Sequence, residues 1–220
     1  MSLTIVTGSN RGIGLELCRQ LAARGAQVLA ACRSTSKELE SLGVERVSGV
    51  DVASDAGVEA LTRAVGQREI TLLINNAGIL ASEALDALNL DSIRRQFEIN
   101  ALGPLRVTAA LAPRLTSGSK VAMITSRMGS IGDNGSGGYY GYRMSKAALN
   151  MAGASLAHDL KRRGIAVALL HPGMVRTRMT GTHGTVEPTD AVRGLLERID
   201  ALDLASSGGF WHMNGERLPW

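Results

Sequence analysis

The sequence predicts an α/β fold, a doubly wound parallel sheet with helices on both faces. Three observations carry that expectation. Short apolar, β-branched runs alternate with helix-forming stretches along the 220 residues, which is the order a parallel sheet covered on two sides requires. The first run passes straight into a glycine-rich turn and a helix, the unit that starts a βαβ crossover. Residues able to do chemistry fall at the C-terminal ends of the expected strands, where open α/β sheets place their binding crevices.

The first strand, Leu3-Thr4-Ile5-Val6-Thr7, is apolar and β-branched, as a buried strand should be. It leads into Gly8-Ser9-Asn10-Arg11-Gly12-Ile13-Gly14 and a helix from Leu15 to Ala23. A tight turn opening a helix presents backbone N–H groups and the positive end of the helix dipole, and together these hold an anion. Three glycines let the main chain approach a pyrophosphate and let helix pack on strand. The spacing, Gly-x-x-x-Gly-x-Gly, is one residue wider than the commonest dinucleotide fingerprint. Without a ligand it would be an ordinary glycine turn.

The second strand, Ala26 to Ala31, ends in Cys32-Arg33. An NAD site places an acid near here to accept from the ribose 2′-hydroxyl. A guanidinium cannot accept from a hydroxyl but pairs well with a 2′-phosphate. Arg33, with Arg11 adding charge from the glycine loop, therefore favours NADP(H) over NAD(H). The competing reading is two surface arginines in an arginine-rich chain.

The third strand is expected over Arg46–Val50, followed by Asp51-Val52 and a helix from about Ser54 to Gly66. Ile70–Ile74 is the fourth strand, ahead of Asn75-Asn76-Ala77-Gly78, and one long helix is expected from about Asp91 to Leu115. Lys120–Thr125 is the fifth strand, and a glycine-rich loop from Gly129 to Gly141 precedes a helix running from Tyr142 to about Arg163. Ile165–Leu170 is the sixth, a final helix spans about Thr189–Ala201, and Gly209–His212 is a short seventh strand. No linker, repeat or low-complexity segment interrupts this order, so residues 1–220 are expected to form a single Rossmann-type domain.

Composition narrows the function. The net charge of +4 is mild and the basic residues are scattered. Their longest run, Lys161-Arg162-Arg163, ends a helix where cations favour the dipole. Aromatic residues are too scarce, at 3%, to build base-stacking surfaces, which argues against nucleic-acid binding. Two cysteines, Cys18 and Cys32, suggest neither a disulfide framework nor a metal site. No apolar stretch is long enough to span a membrane, and a strand beginning at residue 3 leaves no room for a signal peptide. A soluble, cytoplasmic protein is expected.

Tyr142-Arg143-Met144-Ser145-Lys146 places a phenol and an ammonium one helical turn apart, on one helix face. A lysine held there is expected to lower the phenol from its free pKa of about 10 and make it a proton donor or acceptor near neutrality. Tyr139 and Tyr140 have no lysine at that spacing. With Thr7-Gly8-x-x-x-Gly12-x-Gly14, Asn75-Asn76-Ala77-Gly78, Ser126 and Pro172-Gly173-x-Val175-x-Thr177 in succession, the chain resembles the short-chain dehydrogenase/reductase family over essentially its whole length. Ser126–Ile131, Tyr142–Met151 and the closing Leu218-Pro219-Trp220 resemble its C-factor/sniffer-type carbonyl reductase branch.

The resemblance implies an NADP(H)-dependent reduction of a carbonyl to an alcohol, with Tyr142 giving its proton to the carbonyl oxygen. It also implies that Lys146 holds the nicotinamide ribose and tunes Tyr142, that Ser126 hydrogen-bonds the substrate oxygen, and that Asn100 orders a proton-relay water. Carried over position by position, the cofactor contacts fall on Gly8, Asn10, Arg11, Gly12, Ile13, Gly14, Arg33, Asp51, Val52, Asn76, Ala77, Gly78, Tyr142, Lys146, Pro172, Gly173, Val175 and Thr177. Sixteen residues separate Ser126 from Tyr142, more than the family's commonest spacing, and the Gly129–Gly141 loop absorbs the difference. Asn100 has a structural alternative as a helix-bending residue. His158 and His171 read as structural or solvated.

A short lid is expected over about residues 176–188, small and polar, with Arg176 or Arg178 available to an anionic group or simply solvated. So short a lid suggests an open pocket for a broad or bulky carbonyl. Small residues on the Tyr142 helix, Ala147, Ala148, Ala152, Gly153 and Ala154 among them, permit a homodimer or homotetramer, or only close packing on the chain's own sheet. Two other functions stand beside the carbonyl reductase: an NADP(H)-binding regulatory or signalling protein with incidental catalysis, and a 3-oxoacyl thioester reductase.

Overall fold

The computed structural model describes residues 3–220. Seven strands form one parallel sheet: β1 (Leu3–Thr7), β2 (Gln27–Ala31), β3 (Glu45–Val47), β4 (Ile70–Asn75), β5 (Leu115–Ile124), β6 (Ala166–His171) and β7 (Phe210–His212). Their order across the sheet is β3-β2-β1-β4-β5-β6-β7. The chain starts in the middle, winds out to β3, then crosses back and winds the other way from β4. The crevice between β1 and β4 is therefore the topological switch point, the place where such sheets bind ligands.

Alternation along the strands sends side chains to two cores. Leu3, Ile5, Leu73, Val121 and Val167 face one way, onto α3 (Asp55–Val65), α5 (Gly103–Leu111) and α6 (Tyr140–Lys161). Val6, Val28, Ile74, Ala122, Ala168 and Leu170 face the other, onto α1 (Gly12–Ala23) and α7 (Pro188–Ala201). Both faces are dry, which is why these strands read as continuous apolar runs rather than alternating ones. The remaining helices are α2 (Lys37–Glu40), which the sequence reading did not anticipate, and α4 (Leu90–Phe97).

Local signals set most boundaries. Ser54 caps α3 by accepting from the Gly57 N–H at 3.1 Å, and Gly66 ends it at φ +60°. β3 stops at Val47 rather than Val50, because Gly49 turns at φ +76° and its N–H goes to the Arg33 carbonyl. β5 begins five residues before Lys120 and meets β4 with a shift in register between Ile70 and Leu72.

The largest departure is the helix expected from Asp91 to Leu115. It is four pieces: α4, a π turn over Glu98–Leu102, α5, and a 3₁₀ turn over Ala112–Arg114. Pro104 has no N–H to give the carbonyl four residues back, at Asn100, so the α-helical ladder cannot run through. Gly103 packs so closely on Val52 that an added Cβ would lie 2.8 Å from its methyl.

Candidate active site

Apart from Asn100, which lies in the π turn between α4 and α5, the residues the sequence singled out for catalysis lie at the C-terminal edge of the sheet or on α6. Gly8 follows β1, Arg33 follows β2, Asn76 to Gly78 follow β4, Ser126 follows β5 and Pro172 follows β6.

The glycine loop is built as a cradle. Gly8 has φ +67°, and a Cβ there would lie 2.8 Å from the Ala77 Cα. A Cβ on Gly14 would collide with the Gly8 carbonyl oxygen and come 2.5 Å from the Asn76 amide nitrogen. Gly12, at φ +54°, faces the Thr177 methyl, 3.3 Å from where a Cβ would sit. Thr7 and Asn76 fasten the two loops together: the Thr7 hydroxyl accepts from the Asn76 and Ala77 N–H groups at 3.0 and 3.1 Å, and the Asn76 amide donates to the Thr7 carbonyl at 2.9 Å. Asn10 donates to the Ser34 carbonyl at 2.9 Å and braces the loop against the segment after β2. Ile13 packs on the α1 core. The first turn of α1 has no side-chain cap and no acidic residue, which leaves its N–H groups to an anion. These residues fit the phosphates of a dinucleotide.

Around the cradle, Arg11 and Arg33 are exposed, and neither has an ion-pair partner among the described residues. Asp51 holds its own turn by accepting from the Ala53 N–H at 3.0 Å, and Val52 is buried with its carbonyl held by Arg106 at 3.1 Å. Across the crevice, Gly173 turns at φ +83°, Val175 is buried and bridges to Val186, and Thr177 hydrogen-bonds the Thr180 hydroxyl through its N–H.

Ser126, Tyr142 and Lys146 are each nearly buried, at 6%, 8% and 4% exposure. The Tyr142 hydroxyl faces the Ser126 hydroxyl, and the Lys146 ammonium lies 5.8 Å from the phenol ring centre. The ammonium donates to the Ile124 carbonyl at 2.9 Å. Burial pushes Lys146 down to about 8. Burial also raises Tyr142 above its usual value, and the Ser126 hydroxyl beside it only partly opposes the rise. Within the protein itself the phenol therefore shifts up, the reverse of the sequence expectation, because desolvation is the larger influence on it.

Asn100 is fully buried in the π turn. Its Oδ1 accepts from the Ile79 N–H and its Nδ2 donates to the Ile79 carbonyl, both at 2.8 Å, with a further bond to the Ser145 hydroxyl at 3.0 Å. Its side chain thus joins the loop after β4 to α6. Gly78 separates Asn100 from Lys146: a Cβ there would sit 3.3 Å from the Asn100 oxygen and 3.8 Å from the Lys146 nitrogen.

Other expectations resolve differently. His171 is held neutral, pushed down to about 3 by burial and by the charges of His212, Arg127 and Lys146, while His158 is exposed. Arg176 is committed to Glu187 and the Gly184 carbonyl, which leaves Arg178 as the freer lid arginine. Glu38 on α2 senses Arg178, although hydrogen bonds from its own backbone and from Ser36 do most to lower its carboxyl. Arg127, next to Ser126, pairs with Asp133 at 3.1 Å and Glu216 at 2.5 Å and ties the loop to the C-terminal segment. Neither that clamp nor the Glu83–Gln96 pair beside α6 was visible in sequence, since no motif marks them. Among the described residues there is no cluster of metal-ligating side chains, and no helix is long and apolar enough to cross a membrane.

Comparison with known proteins gives the same direction. Residues 2–187 match the family described as short chain dehydrogenase. The chain is 44% identical, over all of both sequences, to 1-hydroxy-2-glutathionyl-2-methyl-3-butene dehydrogenase of Rhodococcus sp. (strain AD45). It is 49% identical to C-signal of Myxococcus xanthus over 69% of this chain and 93% of that one. The crystal structure of NADPH-bound carbonyl reductase from chicken fatty liver superposes with a TM-score of 0.92 at 31% identity, covering 100% of this chain and 98% of that one.

Proposed function

The chain belongs to the short-chain dehydrogenase family and is an oxidoreductase of that type, and from that premise we propose that it reduces ketone, aldehyde or acyl carbonyls with NADPH, Tyr142 being the proton donor. The observation that carries the reading is the joint burial of Ser126, Tyr142 and Lys146 beside the glycine cradle. A pure binding protein has no use for a proton donor kept at that place.

The cradle from Gly8 to Gly14, with Asn76 to Gly78, Asp51, Val52, Pro172, Gly173, Val175 and Thr177, would hold NADPH, which would supply the hydride. Arg33 and Arg11 are the groups for its 2′-phosphate, being exposed and unpaired cations beside the β2 end. Ser126 and Tyr142 present two hydroxyls to a carbonyl oxygen and stabilise the charge that grows there. Tyr142 then transfers its phenolic proton to that oxygen, and its raised pKa keeps it protonated until it does. Lys146, positively charged below about pH 8, stabilises the phenolate that results. Asn100 holds the floor of the site through Ile79 and Ser145.

Residues 176–188 form the lid of this reading. Exposed Met174 beside it and Met179 within it, with Leu85 and Leu88 on the loop after β4, give apolar surface suited to a lipophilic or bulky substrate. The free thiols of Cys18 and Cys32 accord with a reducing cytoplasm. One finding favours a second reading, alcohol oxidation on a thioether conjugate, because the Rhodococcus relative is named for a glutathionyl alcohol.

The test is a panel of aldehydes, diketones, quinones and 3-oxoacyl thioesters with NADPH or NADH, and in the other direction a glutathione-conjugated alcohol with NADP⁺ or NAD⁺. We expect turnover of carbonyls with NADPH well above NADH. Preference for the conjugated alcohol would move the assignment to the second reading. Tight NADPH binding with no turnover in either direction would leave a regulatory NADP(H)-binding protein.

A further inference from the structure

One buried carboxylate ties the loop after β4 to the start of the helix that carries Tyr142. Glu83 is only 4% exposed although it sits on a connecting segment. Its Oε1 accepts from the Gln96 amide at 2.6 Å and the Ser92 hydroxyl at 2.8 Å, and its Oε2 accepts from the Gly141 backbone N–H at 3.2 Å. Its carbonyl accepts from the Tyr139 N–H at 3.0 Å. Gln96, fully buried, turns its carbonyl oxygen to the Ala81 N–H at 3.0 Å. No lysine or arginine among the described residues pairs with Glu83. Its charge is held by three neutral donors and the positive end of α6.

The helix it meets cannot fix its own first turn. α6 has no side-chain cap at Tyr139, and Tyr139 is the one non-glycine residue with positive φ, at 51°, among the described residues. Gly141 lies against Gln96 so closely that a Cβ would collide with the amide and come within 3.0 Å of the Ile93 Cα. The next residue is Tyr142. Hence the entry to the catalytic helix is set from outside, by Glu83 and Gln96 acting on Gly141.

We propose that Glu83 is a positioning residue, which caps α6 through Gly141 and so aims the Tyr142 hydroxyl at Ser126. The proposal rests on the reductase reading for its kinetic consequence but not for its structural one. Glu83→Gln keeps the volume yet turns an NH₂ group toward one of three donors, so Gly141 or Gln96 loses its acceptor. Combining Glu83→Gln with Gln96→Glu restores the bonds to Gly141 and between the two side chains, since the amide at 83 can donate to the carboxylate at 96 and still accept from Gly141, while the Ser92 hydroxyl turns from donor to acceptor.

The experiment measures kcat, NADPH affinity and backbone hydrogen exchange at Gly141 and Tyr142 in the native chain, in Glu83→Gln and in the swapped pair. We expect Glu83→Gln to lower kcat roughly tenfold or more while NADPH affinity stays within about twofold. Exchange at the two amides should rise in the single variant, and the swap should recover both. Unchanged exchange and kcat in Glu83→Gln overturn the proposal, as does a loss of kcat that tracks an equal loss of NADPH affinity. If the native chain turns over no carbonyl, the reductase reading fails and the exchange alone decides the role of Glu83: raised at Gly141 and recovered by the swap supports it, unchanged overturns it.

Discussion

Lys146 shows how little freedom the buried site leaves a charge. Its ammonium has one backbone carbonyl for a partner and little solvent, so its proton is lost near pH 8 rather than above 10. Tyr142 moves the opposite way, because burial penalises phenolate as it penalises ammonium. For reduction the two shifts are compatible: the phenol stays protonated, and the lysine is charged below about 8. The sign follows directly. The proposed catalytic pair is intact at neutral pH and is lost as pH rises through the Lys146 value. Log kcat/KM for carbonyl reduction should be flat from about pH 6 and fall above about 8. His171, neutral down to about 3, should add no inflection in the neutral range. A profile flat to about pH 10 would contradict this account of Lys146. The Tyr-x-x-x-Lys spacing was legible in sequence. The direction of the phenol shift was not, because spacing reports neighbours and says nothing of desolvation.

At the scale of elements, the glycine loop and its helix are the part the sequence specifies most tightly. Gly14 has no space for a methyl group between the Gly8 carbonyl and the Asn76 amide. Gly14→Ala should therefore push the loop off Asn76, weaken NADPH binding by a factor of ten or more, and cost roughly 1–3 kcal/mol of stability by overpacking. Fluorescence titration with NADPH and a thermal melt would check this, and native affinity in the variant would show that the cradle is looser than its geometry. Strand and helix positions were legible wherever the signal was local, as at Ser54 and Gly66, which bound α3. The broken helix from Leu90 to Leu111 was not. Pro104 marks a break, but the Asn100 side chain that ties the π turn to Ile79, twenty-one residues earlier, leaves no local signal. The short α2 was missed for a related reason: its Ser36 cap also bonds the Asn10 carbonyl, a contact between segments far apart in the chain.

Across the whole molecule, the alternation of apolar runs with helices was enough to fix an all-parallel sheet with two covered faces. It also placed the candidate residues on one edge, since strands in parallel sheets all end on the same side. What the sequence did not reveal is the set of ties among loops: Thr7 with Asn76, Arg127 with Glu216, Glu83 with Gly141. Each uses common polar residues with no spacing signature, and each exists only once the sheet has brought distant loops together. Such ties make the edge a single framework rather than a row of separate turns. The most direct test of the account is a comparison of the native chain with Tyr142→Phe, in single-turnover NADPH oxidation and in NADPH binding by fluorescence. We predict unchanged NADPH affinity with a loss of roughly 10² to 10⁴-fold in the rate of carbonyl reduction. A variant that binds NADPH normally and reduces the same carbonyl at the native rate would remove Tyr142 as proton donor, and with it the mechanism built on this site.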